Sequence, residues 1–478
     1  MRKIPIFFII FIISVCLGSA LASVPAFAQT LEDRIKTLED AVKKQEETIQ
    51  QQKALIDALK TEMQQAKPPS PPVAASSPVA PPPAGQEAAS LDQVQQQVQE
   101  LEEKVGQVAE AQKKEFLSVL NPAIGFVGET VLSYRSQPNT RTGSDRLGGF
   151  DAQLRSGELN LAGSVDPYAR AYAVLNASAD AATGEANAQL EEAAIQTTSL
   201  PWNLTLKGGR FFGEFGRLAY IHDHELPFVN RPLVLDRYIG GESRTDGLQL
   251  NYLFPIPHYV SLTAGLGEGF GSPLNTNIKD FRPFGGLSTW GRLSTYFDLT
   301  PDISIEPGVS WLYNPQTVDY SGPLAQPDGS IFTQRKRKLA GADLVVRYYP
   351  LRDNQFQSLT WGTEALYSKN RYDITAPDGS TSTSNVGSGG LYSYLQYKFH
   401  RQWTAGFLFQ WLQDATNRNG QTYSYSPYLT WAISHWNQLR LQYTYTAPSA
   451  ATGLRPDNAV YLQWVWIIGS HSHGWQER

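Results

Sequence analysis

The chain has 478 residues, 41% of them hydrophobic and 18% charged, with a formal net charge of -5, one cysteine and seven histidines. A charge so small and so evenly spread argues against a nucleic-acid partner. The lone Cys16 sits near the start of the chain, so a disulfide framework, a cysteine-ligated metal and thiol catalysis are excluded beyond it.

In chain order, Arg2 and Lys3, the apolar run Ile4 to Val15 and the small-residue site Ala26-Phe27-Ala28 before Gln29 have the three parts of a secretory signal peptide, residues 1–28. Val15 before Cys16 fits a lipoprotein cleavage site poorly. The chain is therefore expected to be exported. Residues 29–66 then carry apolar side chains at heptad spacing: Ile35, Val42, Ile49, Ile56 and Met63 on one seam, Leu31, Leu38 and Leu59 on the other, with Gln45 and Gln52 between. This pattern predicts a coiled coil, and β-branched residues paired with leucine lean toward two strands. Residues 67–90, rich in Pro, Ala and Ser, predict an extended, semi-rigid linker. A second short coiled coil is expected over residues 91–116 through Leu91, Val94, Val98, Leu101, Val105 and Val108. Together these form an α-helical stalk that reads as periplasmic and either oligomerises or spaces the C-terminal part of the chain from the cell wall.

From residue 121 to 478 the pattern changes to short segments of alternating apolar and polar residues. Segments long enough to cross a bilayer when tilted start near Ala123, Phe150, Pro167, Ala188, Trp202, Arg244, Tyr259, Leu287, Pro301, Arg335, Gln357, Gly389, Trp403, Thr422, Gln438 and Asp457. The connectors alternate as well. Turn-sized links at 163–167, 199–201, 254–258, 300–302, 350–356, 400–402 and 434–437 separate long polar ones at 136–149, 213–243, 267–286, 314–334, 373–388 and 448–456. An all-β transmembrane barrel of about 16 antiparallel strands explains both rhythms, with tight turns in the periplasm and long loops outside. Leu439, Leu441, Tyr443 and Tyr445 alternate with Arg440, Gln442 and Thr444, one face for lipid and one for water. Trp403, Trp411, Trp431, Trp436, Trp464 and Trp466 cluster toward strand ends as an interfacial girdle does. The competing fold is a soluble β-sandwich with these aromatics as its core, which leaves the connector asymmetry unexplained. The expected location is the outer membrane of a Gram-negative bacterium.

A barrel this wide encloses an aqueous bore, so transport is expected in place of catalysis. The connector after the fifth strand, 213–243, which is the third on the outer side counting from a periplasmic N-terminus, is the longest and unusually apolar, with Leu226, Phe228, Val229, Leu233, Val234, Leu235 and Ile239. It is expected to fold into the lumen and form the constriction through Arg210, Glu214, Arg217, His222, Asp223, His224, Glu225, Arg231, Asp236 and Arg237, whose charges focus the field. An external lid or a subunit contact is the alternative. By alternation, Arg155, Glu158, Arg170, Lys207, Arg292, Glu306, Asp343, Arg347, Glu364, Lys398 and Arg440 line the pore. The surplus of bases suggests a mild anion preference, while the acids equally well serve as ion-pair braces. His222 and His224 flank Asp223, but a defined metal site needs three or four converging ligands and no third distant one is identifiable, so neither metal nor cofactor is assigned. His471 and His473 are weaker still. The basic run Arg335-Lys336-Arg337-Lys338 reads as an outer rim that meets lipopolysaccharide phosphates, or as a solvated loop end.

The passage Leu204 to Gly216, with Lys207-Gly208-Gly209-Arg210-Phe211-Phe212 at its centre, resembles the Lys/Gly/Arg-Phe passage of the phosphate-selective porin O/P superfamily. Heptads followed by a barrel are similar to the DcaP-like trimeric porins. The resemblance implies a sixteen-stranded homotrimeric diffusion channel for small hydrophilic or anionic solutes with an inward third loop. The chain departs from the pattern in lacking a dense basic ladder and in ending Gly474-Trp475-Gln476-Glu477-Arg478 where a terminal aromatic is usual. Two other functions compete with the porin: an outer-membrane barrel enzyme, which would need a serine or acid beside a histidine on one wall, and an envelope tether with an incidental pore. No Gly-x-Ser-x-Gly motif occurs.

Overall fold

The computed structural model describes residues 123–137, 148–180, 185–271, 284–315, 324–325, 329–351, 356–416 and 419–469. The signal peptide, both heptad runs, the linker between them, His471 and His473 lie outside the described residues.

Every segment with period-two alternation is a strand. In chain order they are β1 (Ala123–Arg135), β2 (Gly149–Asp166), β3 (Ala169–Asp180), β4 (Glu185–Thr197), β5 (Leu204–Phe212), β6 (Arg244–Leu253), β7 (Tyr259–Gly267), β8 (Ser288–Thr300), β9 (Ile303–Asn314) and the two-residue β10 (Leu324–Ala325). Then come β11 (Ile331–Tyr348), β12 (Ser358–Thr375), β13 (Thr381–Lys398), β14 (Trp403–Gln413), β15 (Gln421–Ser434), β16 (Asn437–Pro448) and β17 (Asp457–Gly469). All but β10 pair antiparallel with their chain neighbours, and β9 pairs directly with β11. β17 returns to β1 from Gly125↔Gly469 to Arg135↔Ala459, which closes sixteen strands into a barrel without an open edge.

The two rims differ as expected. One carries tight links such as 167–168, 254–258, 301–302 and 435–436; the other carries the longer connectors. One long connector is not there: residues 373–388 belong mostly to β12 and β13, paired without a break from Ser358↔Lys398 to Thr375↔Thr381. The polar stretch Thr381-Ser382-Thr383-Ser384-Asn385 reads as loop because both of its faces are polar, yet its backbone groups are satisfied by the ladder. Likewise β11 begins at Ile331, so the basic run Arg335 to Lys338 is strand, not rim loop. Its members diverge: Arg337 is buried and donates to the Ile239 and Phe270 carbonyls, while Lys336 and Lys338 are exposed.

The wall is inside out compared with a water-soluble protein. Ile124, Leu132 and Tyr134 of β1 and Leu441 and Tyr443 of β16 are exposed, whereas Glu129, Ser133, Arg440 and Gln442 on the opposite face are buried. Among the described residues no helix is long and apolar enough to cross a membrane, which has no bearing on crossing by strands. Register is fixed in part by glycines opposite large rings. Gly265↔Trp290, Gly362↔Tyr394 and Gly406↔Tyr428 are direct partners on the inward face, and Gly128↔Trp466 and Gly291↔Trp311 on the outward face. A Cβ on any of these glycines would lie 2.0 to 2.4 Å from the facing ring, so each ring occupies the space that glycine leaves.

Candidate functional site

The interior is occupied by the connector between β5 and β6. Its two legs are joined at the base: Gly213 N–H donates to the Ser243 carbonyl at 2.8 Å, and Ser243 N–H to the Ala219 carbonyl at 2.8 Å. From there the chain reaches far around the wall. Gly216 N–H donates to Ser310 Oγ on β9 (2.9 Å), Leu233 N–H to Gln410 Oε1 on β14 (2.7 Å), and Val229 N–H to Gln442 Oε1 on β16 (2.8 Å). Val229 also packs with Val131, Ala459 and Tyr461 of β1 and β17. A segment rooted at β5 that touches β9, β14 and β17 from the inside must cross the lumen.

Apolar packing holds it there. Phe211, Phe215, Leu226, Phe228, Val234, Leu235, Tyr238 and Ile239 form one buried cluster with wall residues including Trp290, Leu339, Tyr392, Tyr394 and Leu408. Pro232 precedes a short helix, α1 (Leu233–Tyr238), which ends at Gly240 and Gly241 with φ of 95° and 97°; both donate back to the Leu235 carbonyl. Gly216 has φ of 61° and approaches β12 so closely that a Cβ would meet Glu364 Oε1 at 2.1 Å. Gly216 and Phe215, at the end of the Leu204 to Gly216 passage, are thus explained by close approach to the wall.

Most of the charges are paired. Arg292 grips Asp343 with both guanidinium nitrogens, at 2.6 and 2.8 Å. Glu306 accepts from loop Arg217 at 2.6 Å and wall Arg347 at 3.1 Å. Arg231 stays within the loop, donating to Asp223 and to the Leu218 and Ile221 carbonyls. Arg155 donates to Glu129 and to the Val229 carbonyl, and Arg440 to Thr430 and Gln463. Glu364 accepts from Tyr392 and from the Arg217 backbone.

A second cluster joins the loop to β2 and β4. His222 Nδ1 lies 3.4 Å from Glu158 and 3.7 Å from Glu191, and His222 Nε2 lies 2.9 Å from Glu192. His224 Nδ1 lies 3.2 Å from Glu158. Burial alone would push both imidazoles down; the Glu158 carboxylate outweighs it, holding His222 well above its ordinary value and His224 above it. Burial pushes Asp236 up to about 7 against the pull of Arg231, whose charge holds Asp223 low in spite of its own burial.

Of the expected constriction residues, Glu214, Arg217, His222, Asp223, His224, Arg231 and Asp236 meet in this interior, Arg237 is half-buried and Glu225 is exposed. Arg210 goes elsewhere. It pairs in register with Asp246, on the outward side that Leu206, Leu248 and Leu250 share, and its guanidinium holds Asp246 at 2.7 Å. Arg210 lies within β5, before the connector begins at 213, and strand alternation turns it away from the lumen. The expected lining residues Glu158, Arg170, Lys207, Arg292, Glu306, Asp343, Arg347, Glu364, Lys398 and Arg440 sit on the inward register, while Arg155 is the extra residue of a bulge in β2, between Glu129↔Ser156 and Thr130↔Leu154, and reaches Glu129 and the Val229 carbonyl inside. Sequence reasoning missed Glu129, Glu191, Glu192 and Arg244. Glu191 is the extra residue of a bulge, because Val174↔Glu192 is followed by Leu175↔Leu190. A bulge turns two adjacent residues to one face, which period-two counting cannot foresee.

No protein-family model matches the chain. An uncharacterised protein of Aquifex aeolicus (strain VF5) is 32% identical over 265 residues, 54% of this chain and 53% of that protein, so the chain spans about half the length of the curated relative it matches. Among solved structures it is similar to OprB of Pseudomonas putida at high pH (12% identity, 73% of this chain and 94% of that one, TM-score 0.49). It is similar to the outer membrane channel DcaP of Acinetobacter baumannii (10%, 73% and 97%, TM-score 0.46) and to an anion-selective porin from Comamonas acidovorans (9%, 73% and 99%, TM-score 0.45).

Proposed function

We propose that the protein is an outer-membrane porin that passes small hydrophilic solutes by diffusion through a water-filled barrel narrowed by the connector between β5 and β6. The observation that carries this reading is the inverted wall: a closed ring of sixteen strands with apolar side chains outward, charged ones inward, and a charged connector crossing the space between. A continuous apolar exterior on a large barrel is costly in water and favourable in lipid, and a ring of sixteen strands is too wide for its own side chains to fill. The tight-turn rim then faces the periplasm.

Selectivity is weak in this reading. Most inward bases meet an acid, as in Arg292–Asp343 and Arg217–Glu306–Arg347, and a paired wall favours neither sign of ion strongly. Away from the His222 cluster, Arg440, held by neutral Thr430 and Gln463, and half-buried Lys398 tilt the balance slightly toward anions. Lys336 and Lys338 face outward near the rim and suit lipopolysaccharide phosphates. The sequence resemblance to DcaP-like trimeric porins supports a homotrimer, whereas the heptad seam by itself leans toward two strands. Purified protein in liposomes should admit small neutral sugars, with rates that fall as solute size rises. In a salt gradient its reversal potential should give a chloride-to-potassium permeability ratio above one, reduced toward one in Arg440→Gln. Sugar-impermeable liposomes carrying folded protein would refute the channel. Cells lacking residues 29–116 should keep their conductance; loss of envelope integrity instead would favour the tether.

A further inference from the structure

We propose that Glu158, His222 and His224, with Glu191 as fourth donor, form a binding site for a divalent transition metal, zinc by ligand chemistry, that fastens the lumen-crossing connector to the wall. The channel reading neither requires nor supplies this site. His222 and His224 come from the connector, Glu158 from β2 and Glu191 from the bulge of β4. All four are at least nine-tenths buried. One donor atom each from Glu158, His222 and His224 lies within 4.8 Å of the others.

The spacing suits a tetrahedral ion. With metal–ligand distances of about 2.0–2.2 Å, donors at the corners of a tetrahedron are about 3.3–3.6 Å apart. The separations are 3.2 Å for His224 Nδ1–Glu158 Oε1, 3.4 Å for His222 Nδ1–Glu158 Oε2 and 3.7 Å for His222 Nδ1–Glu191 Oε2, so each ring meets its own oxygen of Glu158 at close to the tetrahedral edge. Two imidazole nitrogens and carboxylate oxygens are a donor set that zinc accepts and that magnesium or calcium, which prefer oxygen, do not favour.

The outer partners are also in place. With His222 Nδ1 turned to the ion, its Nε2–H points at Glu192 Oε1, 2.9 Å away, the carboxylate–histidine–metal arrangement that fixes ring orientation. Ser156 Oγ donates to Glu158 at 2.7 Å, and Asn176 Nδ2 and Arg244 Nη2 donate to Glu191 at 2.9 Å each. Asp223, between the two histidines, is drawn off by Arg231, which leaves the flanking rings to face one way. With the imidazoles neutral, the four carboxylates of Glu158, Glu191, Glu192 and Glu242 face the three bases Arg244, Lys207 and Arg231, an excess of negative charge that a divalent cation offsets. Extended His222 leads into the short 3-10 turn Asp223–Glu225, and the two rings lie 5.7 Å apart between centroids, both within reach of Glu158.

Full-length protein, refolded in detergent after chelation and titrated with zinc chloride by calorimetry, should bind one equivalent per chain. Cobalt should give the visible absorption of tetrahedral coordination, and zinc should protect residues 213–243 from proteolysis. His224→Ala and Glu158→Gln should abolish saturable binding. Glu192→Gln, which leaves the four donors intact, should weaken it by about 10–100-fold. Should a ligand variant fail to fold, the same titration of wild type competed with a chelator decides alone. Absence of saturable binding by folded wild type, or undiminished binding by folded His224→Ala, would overturn the proposal.

Discussion

At the scale of the residue, two buried groups carry testable consequences. Arg292 and Asp343 have side-chain exposures of 0% and 1%. Removing one strands the other, a loss of about 3–5 kcal/mol, whereas replacing both with apolar residues of similar size is close to neutral. Chemical denaturation in detergent should therefore find Arg292→Leu far less stable than wild type and Arg292→Leu with Asp343→Leu much closer to it. Asp236 tests the loop by pH. Its carboxyl, raised by burial to about 7, faces Arg231, Arg237, Arg155 and Asp223. Because the folded protein holds this proton more tightly than the unfolded chain, the stabilisation it contributes is complete below the ordinary carboxylate value of 3.8 and fades as pH rises through 7. Protease protection of the connector should weaken between pH 5 and pH 8, and Asp236→Asn should flatten that dependence. Equal pH sensitivity in the variant would contradict the assignment. Alternation alone located the inward charges Arg292, Asp343 and Glu364; the bulge that turns Glu191 inward left no mark in the sequence.

At the scale of the element, the connector and the strands it leans on are fitted to each other by glycine. Gly216 needs a left-handed φ and touches Glu364; Gly265 makes room for the Trp290 ring. Gly216→Ala should loosen the connector without preventing barrel assembly, seen as faster proteolysis within 213–243 while the heat-sensitive gel mobility of a folded barrel persists. Gly265→Val should impair assembly itself, since its Cβ would lie 2.2 Å from ring atoms on the neighbouring strand. The sequence displayed the connector's apolar content, from Leu226 to Ile239, and so its burial. It did not display where each residue lands, because Glu158 meets His224 across 66 positions and such contacts have no local signature. Polar strand also passed for loop at 373–388, where both faces of the hairpin carry Ser, Thr and Asn.

At the scale of the whole molecule, sixteen crossings were legible because the bilayer imposes one length, one alternation and one rhythm of connectors on each of them. Strands begin within a few residues of the expected starts at Ala123, Arg244, Tyr259, Trp403 and Asp457, and drift where rims are polar, as at Thr381. Net function is less legible, since a pore's traffic depends on how inward charges pair, and only the closed barrel pairs Arg217 with Glu306 or Arg347 with the same carboxylate. Single-channel recording in planar bilayers, comparing the intact protein with a variant in which residues 220–241 are excised and the gap closed, tests the central claim most directly. A wet bore crossed by this connector predicts discrete, ohmic steps from the intact protein and steps at least about twofold larger from the variant. Inserted protein that stays electrically silent, or steps that excision leaves unchanged, would contradict it.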